Sequence, residues 1–474
     1  MQNPLIPDIL LLLFPLAMLL LRLVCPKRER LHWLFANIAL AVIFIYQNCL
    51  LLSGPHFYLS NWKVDSFGIF VREVLTLGAF CAIWFSKDYF THDAAGKPRL
   101  KEFPEFVSII GFATFGGVVV VSACDLLTLF IGLELATIPM YALTAWNKRD
   151  AEGAEAAVKF ILMGSVATAF ELFGLSYLYG FSGSLFLQEI AAAVSLHPAS
   201  PLLWVGVLFL ICGVGFKLTL FPFHVWAPDV YEGAPTPVTA LLSVTSKAVA
   251  ILFLVVMFYG PFAAIQYDAA PFLALLAALT LFAGNLGALK QTKLRRFMAY
   301  SSISQAGYIL VALLGPKQDA QSAIIFYLLL YTFANYLAFF VFGIVGRDRR
   351  EDFASLRGLS KDNPTLAVAL VVALMSLAGI PPLAGFFGKL QLFFSAAEGK
   401  QYALITFAVL NNVLALYYYI QVLKSAWIDE PEGETPKIQV SARQKLTVAV
   451  LMILVIACGF LPFLSNNIVA GLRF

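Results

Sequence analysis

The sequence predicts an all-α polytopic membrane protein of about fourteen transmembrane helices. Three observations predict it: composition, the length of its apolar runs and the placement of its basic residues. The 474 residues are 60% hydrophobic and 13% charged, with a mean hydropathy of +0.83. A soluble domain carries about 25% charged and about 45–50% apolar residues. Apolar runs of about 20 residues, the length that crosses hydrocarbon, recur along the chain. When alternate loops are sorted to two sides, one side holds 23 Lys and Arg and the other four, while five more lie inside the runs. Positive loops stay in the cytoplasm, so this sorting both supports the count and orients the chain. It places both termini on the non-cytoplasmic side.

The runs follow in order. Residues 4–24 open the chain without a basic region before them and with a basic cluster after them, which reads as a retained first span and not a cleaved leader. Runs 31–53 and 66–86 complete an N-terminal three-helix segment, 1–104. In the third run Arg72 and Glu73 lie close to one end, where interfacial anchoring is expected. Runs 105–122 and 124–146 are separated only by Ser122-Ala-Cys-Asp125 and form a tight hairpin. The second of them carries Glu134 at depth, in Leu129-Phe-Ile-Gly-Leu-Glu-Leu-Ala-Thr-Ile-Pro139. Run 156–180 carries Lys159 near its cytoplasmic end, where snorkelling and function are both open, and Glu171 deeper. Glu171 is either a protonated carboxyl bonding a neighbouring helix or part of a polar path.

Run 202–223 holds Lys217 and is interrupted by Pro222, with His224 just beyond; run 235–260 holds Lys247. Runs 271–289, 297–314 and 320–345 follow. Run 365–396 contains Gly379-Ile-Pro-Pro-Leu-Ala-Gly-Phe-Phe-Gly388 immediately before Lys389 and cannot be a smooth helix. Runs 402–427 and 444–464 end the series, with 428–474 as a C-terminal segment.

Ionisable groups at membrane depth are expensive and mark ion pathways when several occur together on interrupted helices. Glu134, Lys217, Lys247 and Lys389 fit that description. Desolvation disfavours the charged form of a lysine, and a nearby carboxylate favours it. An amine held between these two effects takes up and releases protons, which is the chemistry of a relay. Pro222 frees backbone groups to line hydrated space, and Lys217 uses that space.

Other function classes are excluded. The net charge of +4 arises in the loops and does not suggest nucleic acid. The six cysteines (Cys25, Cys49, Cys81, Cys124, Cys212 and Cys458) contain no CxxC pair, which argues against zinc, an iron–sulfur cluster or a disulfide framework. No dinucleotide or P-loop signature occurs.

An internal repeat is also visible. Lys217-Leu-Thr-Leu-Phe221 recurs as Lys389-Leu-Gln-Leu-Phe393, an offset of 172 that carries the five spans of 105–260 nearly end for end onto those of 271–427. Five spans per copy is an odd number, so the copies lie inverted in the membrane. The same offset takes Glu134 to Ala306, Lys159 to Tyr331 and Lys247 to Tyr419. The expected fold is duplicated; its charged set is not.

With Phe221-Pro-Phe-His-Val-Trp-Ala-Pro-Asp-Val-Tyr-Glu-Gly-Ala-Pro-Thr-Pro-Val238 and Tyr300-Ser-Ser-Ile-Ser-Gln-Ala-Gly-Tyr308, the whole chain resembles the antiporter-like membrane subunits of respiratory complex I. Pro-Asp-Val-Tyr-Glu-Gly-Ala-Pro is the form typical of the N-type branch; M-type subunits usually carry glutamate at the position of Lys389. The resemblance implies a proton-translocating part of an NADH:quinone oxidoreductase in a bacterial inner membrane. It implies that Glu134 communicates with a neighbouring unit and that Lys159 is its partner. Lys217 matches the lysine of the first broken span, Lys247 that of the central axis and Lys389 the terminal lysine; His224 belongs to the motif with a helix-end hydrogen bond as its plain role. Cofactors (NAD, FMN, iron–sulfur clusters and quinone) are expected in partner subunits. The expected partners are other antiporter-like and small core subunits of the membrane arm, with the lipid bilayer and protons. Two alternatives remain: a subunit of a multisubunit cation/proton antiporter, and a non-pumping scaffold of a membrane-bound hydrogenase-type complex.

Overall fold

The computed structural model describes residues 3–26, 28–53, 57–59, 61–90, 102–148, 150–348, 351–431 and 438–464. Both chain ends, whose side of the membrane the basic residues predict, lie outside the described residues. The chain is an integral multi-pass membrane protein, almost entirely helical. It opens with α1 (Ile6–Val24) and α2 (Glu29–Ser53). A two-residue antiparallel pairing of β1 (Phe57–Tyr58) with β2 (Lys63–Val64) leads into α3 (Ser66–Phe90). Next come α4 (Phe103–Ser122), α5 (Leu126–Thr144), α6 (Ala151–Ser182), α7 (Leu187–Leu196) and α8 (Pro201–Leu218). After a break come α9 (Trp226–Gly233), α10 (Thr236–Leu241), a π-helical turn over 242–246 and α11 (Lys247–Phe258). The rest is α12 (Gln266–Ala288), α13 (Leu294–Ala312), α14 (Lys317–Asp348), α15 (Leu359–Asp362), α16 (Pro364–Ala378), α17 (Ala384–Glu398), α18 (Tyr402–Trp427) and α19 (Ala442–Leu464).

Among the described residues, twelve helical stretches are long and apolar enough to cross a membrane. The two expected runs outside that set have physical reasons for it. Run 297–314 is α13, which is 19 residues long but carries Arg295, Arg296, three serines and a glutamine. Run 365–396 is two helices, α16 and α17, because Gly379 turns the chain into the left-handed region at φ 79°. Run 202–223 likewise ends as a helix at Leu218, with Thr219 at φ 62°. Cis peptide bonds at Phe221–Pro222 and Pro381–Pro382 follow in the two breaks.

Local chemistry marks several of the helix starts. Asp125 caps α5, its Oδ1 accepting from Thr128 N at 2.8 Å, and so closes the hairpin with α4 that the sequence predicts. Asp150 caps α6 in the same way through Glu152 N, and Pro201 and Pro364 occupy the first turns of α8 and α16.

The chain forms two compact units: residues 1–219 with 233–269, and residues 220–232 with 270–474. In the first unit α6 presents two distinct faces. Ala156, Phe160, Gly164, Ala167, Glu171, Gly174 and Leu178 are buried, spaced three and four residues apart as one side of a helix requires. Val158, Leu162, Val166 and Phe173 are exposed. The small residues of the buried face let α8 approach closely, the usual means of helix association in a membrane. A β-carbon on Gly213 of α8 would meet Glu171 Cβ at 2.7 Å. In the second unit α14 runs through the middle, its apolar stretch almost wholly buried inside the protein and packed on α13, α16, α17 and α19.

Candidate functional site

The contact of α6 with α8 sets up the central feature of the first unit. Gly213 lies one turn before Lys217, so the close approach at Gly213 delivers Lys217 to the buried face of α6. Lys217 Nζ donates to Glu171 Oε2 at 2.8 Å and to Glu134 Oε1 of α5 at 2.6 Å. Glu134 Oε1 also accepts from Thr168 Oγ1 at 2.9 Å, and Thr168 lies one turn before Glu171. Three helices thus contribute one amine, two carboxyls and a hydroxyl to one cluster. The Lys217 and Glu171 side chains are 1% and 0% exposed, and that of Glu134 is 12% exposed. Two oxygens here have no hydrogen-bond partner among the described residues: Glu171 Oε1 and the Tyr141 hydroxyl. Tyr141 sits seven residues after Glu134 on α5, against Gly164 of α6.

The break after α8 extends the cluster. Thr219 occupies the left-handed position that ends the helix, and its Oγ1 accepts from Lys247 Nζ at 2.5 Å. Lys247 opens α11 directly after the π-helical turn, a local irregularity that often accompanies functional positions. Lys217 and Lys247 are therefore joined through two residues of chain and one hydroxyl.

In the second unit Lys389 sits on α17 beyond the second break, 3% exposed. Its Nζ donates to the main-chain oxygen of Leu377 at 2.9 Å and to Asn412 Oδ1 at 2.6 Å, and lies 4.2 Å from the centre of the Tyr308 ring. Leu377 is in the last turn of α16, whose carbonyls the break at Gly379 leaves without helical donors. The same Leu377 oxygen accepts from Gln305 Nε2 at 3.1 Å, and Gln305 continues to Tyr419 and Tyr327. Among the described residues no carboxylate lies within ion-pair distance of Lys389.

His224 stacks on Phe221, ring centres 5.7 Å apart, and its carbonyl accepts from Ala227 N as α9 begins. On α9 itself, Asp229 and Glu232 pair with Arg296, and Glu232 also with Lys293. Burial of Glu232 works against ionisation, but the hydrogen bonds and charges of Lys293 and Arg296 outweigh it. Its carboxyl is held below the usual carboxylate range.

Several expectations change. The amine partner of Glu134 is Lys217 and not Lys159. Lys159 lies on the opposite side of α6, 44% exposed, with its Nζ 2.7 Å from Glu155. Arg72 is not an interfacial anchor: it is 1% exposed and donates Nε and Nη2 to Asp8 at 2.7 and 3.0 Å, with Ser122 at 2.5 Å. That fork ties α3 to α1 and to the end of α4. Glu73 has a buried Oε1 without a hydrogen-bond partner among the described residues. The repeat register also changes. Lys217 precedes the left-handed residue of its break by two positions, and Lys389 follows its own by ten, so the breaks do not superpose at the offset of 172.

Glu171 is the site residue that sequence reasoning left unassigned. Its signal was the small-residue stripe of α6, which marks the packed face and carries Glu171 at its centre. Among the described residues no three His, Cys, Asp or Glu side chains gather to hold a metal ion.

Comparison with known proteins places the chain in a family. Residues 123–415 match the family model described as NADH:quinone oxidoreductase/Mrp antiporter, TM. The chain is 40% identical over 404 residues to NADH-quinone oxidoreductase subunit N of Heliobacterium modesticaldum, covering 85% of this chain and 83% of that protein. A chain of respiratory complex I from Thermus thermophilus superposes with a TM-score of 0.81 at 32% identity, over 98% of this chain and 99% of that one. A chain of the Mrp complex from Dietzia superposes at 0.87 over 100% and 97%, at 20% identity, and shares the fold. The buried lysine–carboxyl cluster stands inside the matched region, and the chain belongs to the NADH:quinone oxidoreductase/Mrp antiporter transmembrane family.

Proposed function

We propose that the chain translocates protons as a membrane-arm subunit of an NADH:quinone oxidoreductase, driven by quinone reduction in partner subunits. The observation that carries this reading is the Lys217 ammonium enclosed by Glu134 and Glu171 and tied through Thr219 to Lys247. An amine held by carboxyls in a dry site changes its protonation when a neighbouring charge moves, which couples a distant event to proton transfer without redox chemistry on this chain. Glu134 receives the coupling signal; Lys217 and Lys247 carry the proton; Lys389 exchanges it with the outer side. Lys159, facing outward beside Glu155, meets the adjoining subunit, and His224 supports the break. The runs 105–260 and 271–427 act as two inverted copies of one five-helix unit. Flavin, iron–sulfur clusters, nicotinamide and quinone reside in partner subunits, and the complex lies in a bacterial inner membrane with the basic loops in the cytoplasm.

The test is proton uptake into vesicles carrying the purified complex, with quinone reduction measured in parallel at matched assembly. Lys217→Ala is expected to lower both more than Lys159→Arg, which retains a charge. Equal pumping by Lys217→Ala and the parent contradicts the reading, and a purified assembly that moves cations without quinone reductase activity favours the antiporter alternative.

A further inference from the structure

We propose that Glu171 is the second proton carrier of the Lys217 cluster, held at rest as a neutral acid beside an ammonium Lys217 that also bonds an ionised Glu134. This deepens the pump reading and rests on it. Charge counting poses the problem. One ammonium lies 2.6 Å from one carboxyl and 2.8 Å from another, with Glu171 fully buried. If both carboxyls were ionised, a net negative charge would remain in a site closed to water, where an uncompensated charge is far costlier than in solution. Two carboxyls sharing such a site keep one proton between them.

The hydrogen bonds decide which one keeps it. Glu134 accepts from both Lys217 and Thr168 and retains 12% exposure, so its negative charge is well supported. Glu171 accepts from Lys217 alone, through Oε2. Its Oε1 is buried without any partner among the described residues. An ionised oxygen in that position is the costliest arrangement, whereas the hydrogen of a neutral acid removes the charge. Oε2 then serves as the carbonyl that accepts from Nζ, and Oε1 carries the proton.

This assignment gives the cluster a balanced step. Lys217 releases one N–H proton onward and becomes a neutral amine. Rotation of the Glu171 carboxyl brings Oε1–H to Nζ; the O–H bond breaks, a new N–H bond forms, and Glu171 is left ionised. An incoming proton then restores the acid. One proton leaves from Lys217 and one arrives at Glu171, with no change in covalent bonding beyond N–H and O–H. Lys217 thus always regains its proton from a neighbour 2.8 Å away, within the reach that proton transfer requires.

The experiment uses the purified complex in two measurements. Infrared spectra in H2O and D2O should contain the C=O stretch of a buried neutral carboxyl that is lost in Glu171→Gln and moved in Glu171→Asp. In vesicles, Glu171→Gln keeps the shape of the neutral acid and cannot release a proton, so pumping should fall about tenfold or more, with Glu171→Asp intermediate. A band untouched by Glu171→Gln, or lost instead in Glu134→Gln, overturns the assignment, as does parental pumping by Glu171→Gln. If Glu171→Gln does not assemble, the band in Glu171→Asp decides alone: moved supports, unmoved overturns. Lys217→Ala is measured alongside. If it pumps like the parent, the pump reading itself fails; if it stalls while Glu171→Gln pumps with an unchanged band, only the Glu171 assignment fails.

Discussion

Substituting alanine for Gly213 tests whether the close approach of α6 and α8 sets the position of Lys217. A β-carbon there meets Glu171 Cβ at 2.7 Å, Ala167 O at 2.8 Å and Glu171 N at 2.9 Å. Two of these three atoms are backbone, so no rotamer change relieves the clash. Restoring an ordinary contact of 3.4 Å needs the helices to part by about 0.7 Å. The 2.8 Å bond from Lys217 to Glu171 then lengthens to about 3.5 Å and is lost as a hydrogen bond. Overpacking of this kind destabilises by about 1–3 kcal/mol, and the lost bond to a charged group adds to it. Gly180 of α6 is the control, because nothing lies within 4 Å of a β-carbon placed there; alanine at that position gains helix propensity. The assay is thermal denaturation of the purified complex together with proton uptake into vesicles. Gly213→Ala is expected to lower the denaturation midpoint and the pumping rate, and Gly180→Ala neither. If the two variants behave alike, helix proximity at Gly213 does not position the lysine.

Other consequences follow from the remaining sites. Lys389→Leu leaves the Leu377 oxygen and Asn412 without their common donor and should cost about 1–3 kcal/mol more than Lys389→Gln, which restores one; equal denaturation midpoints contradict this. Glu232 is held below the ordinary carboxylate range, so its contribution is complete above about pH 4.3 and fades as pH falls through the depressed folded value. Glu232→Gln should therefore flatten the acid-side loss of stability, and an unchanged acid limb in a pH series of thermal melts refutes it. Because the Glu232 pairs are partly exposed, the loss at neutral pH stays below about 1 kcal/mol. Cysteines at Lys361 and Lys400, which flank α16 and α17, should react with an impermeant maleimide from opposite faces. Labelling of both from one face contradicts the proposed orientation.

The apolar runs made most helices legible, because crossing hydrocarbon leaves a signal as long as the helix itself. The breaks were legible through Pro222 and Pro381-Pro382, but their alignment was not. The match of Lys217-Leu-Thr-Leu-Phe to Lys389-Leu-Gln-Leu-Phe is one of simple composition, and backbone geometry places the two lysines on different sides of their breaks. Partnerships were the least legible part. Arg72 finds Asp8 at 64 residues' separation and Lys217 finds Glu134 at 83, and no local pattern announces such a pair. Lys159 and Glu171 lie on one helix, and only its rotation separates them: Lys159 falls on the exposed side and Glu171 among the glycines and alanines of the packed side. The spacing of those small residues was present in the sequence and identifies the buried face.

The central claim is that Lys217 gives up a proton during turnover, and Lys217→Arg tests it most directly. Arginine retains the positive charge between Glu134 and Glu171 and scarcely deprotonates, so it separates electrostatic support from proton transfer. The measurement is the number of protons moved per quinone reduced, in vesicles carrying the variant complex at matched assembly. A ratio clearly below that of the parent is predicted, with the missing protons attributable to this chain. A parental ratio contradicts the claim and confines Lys217 to holding the two carboxyls in place.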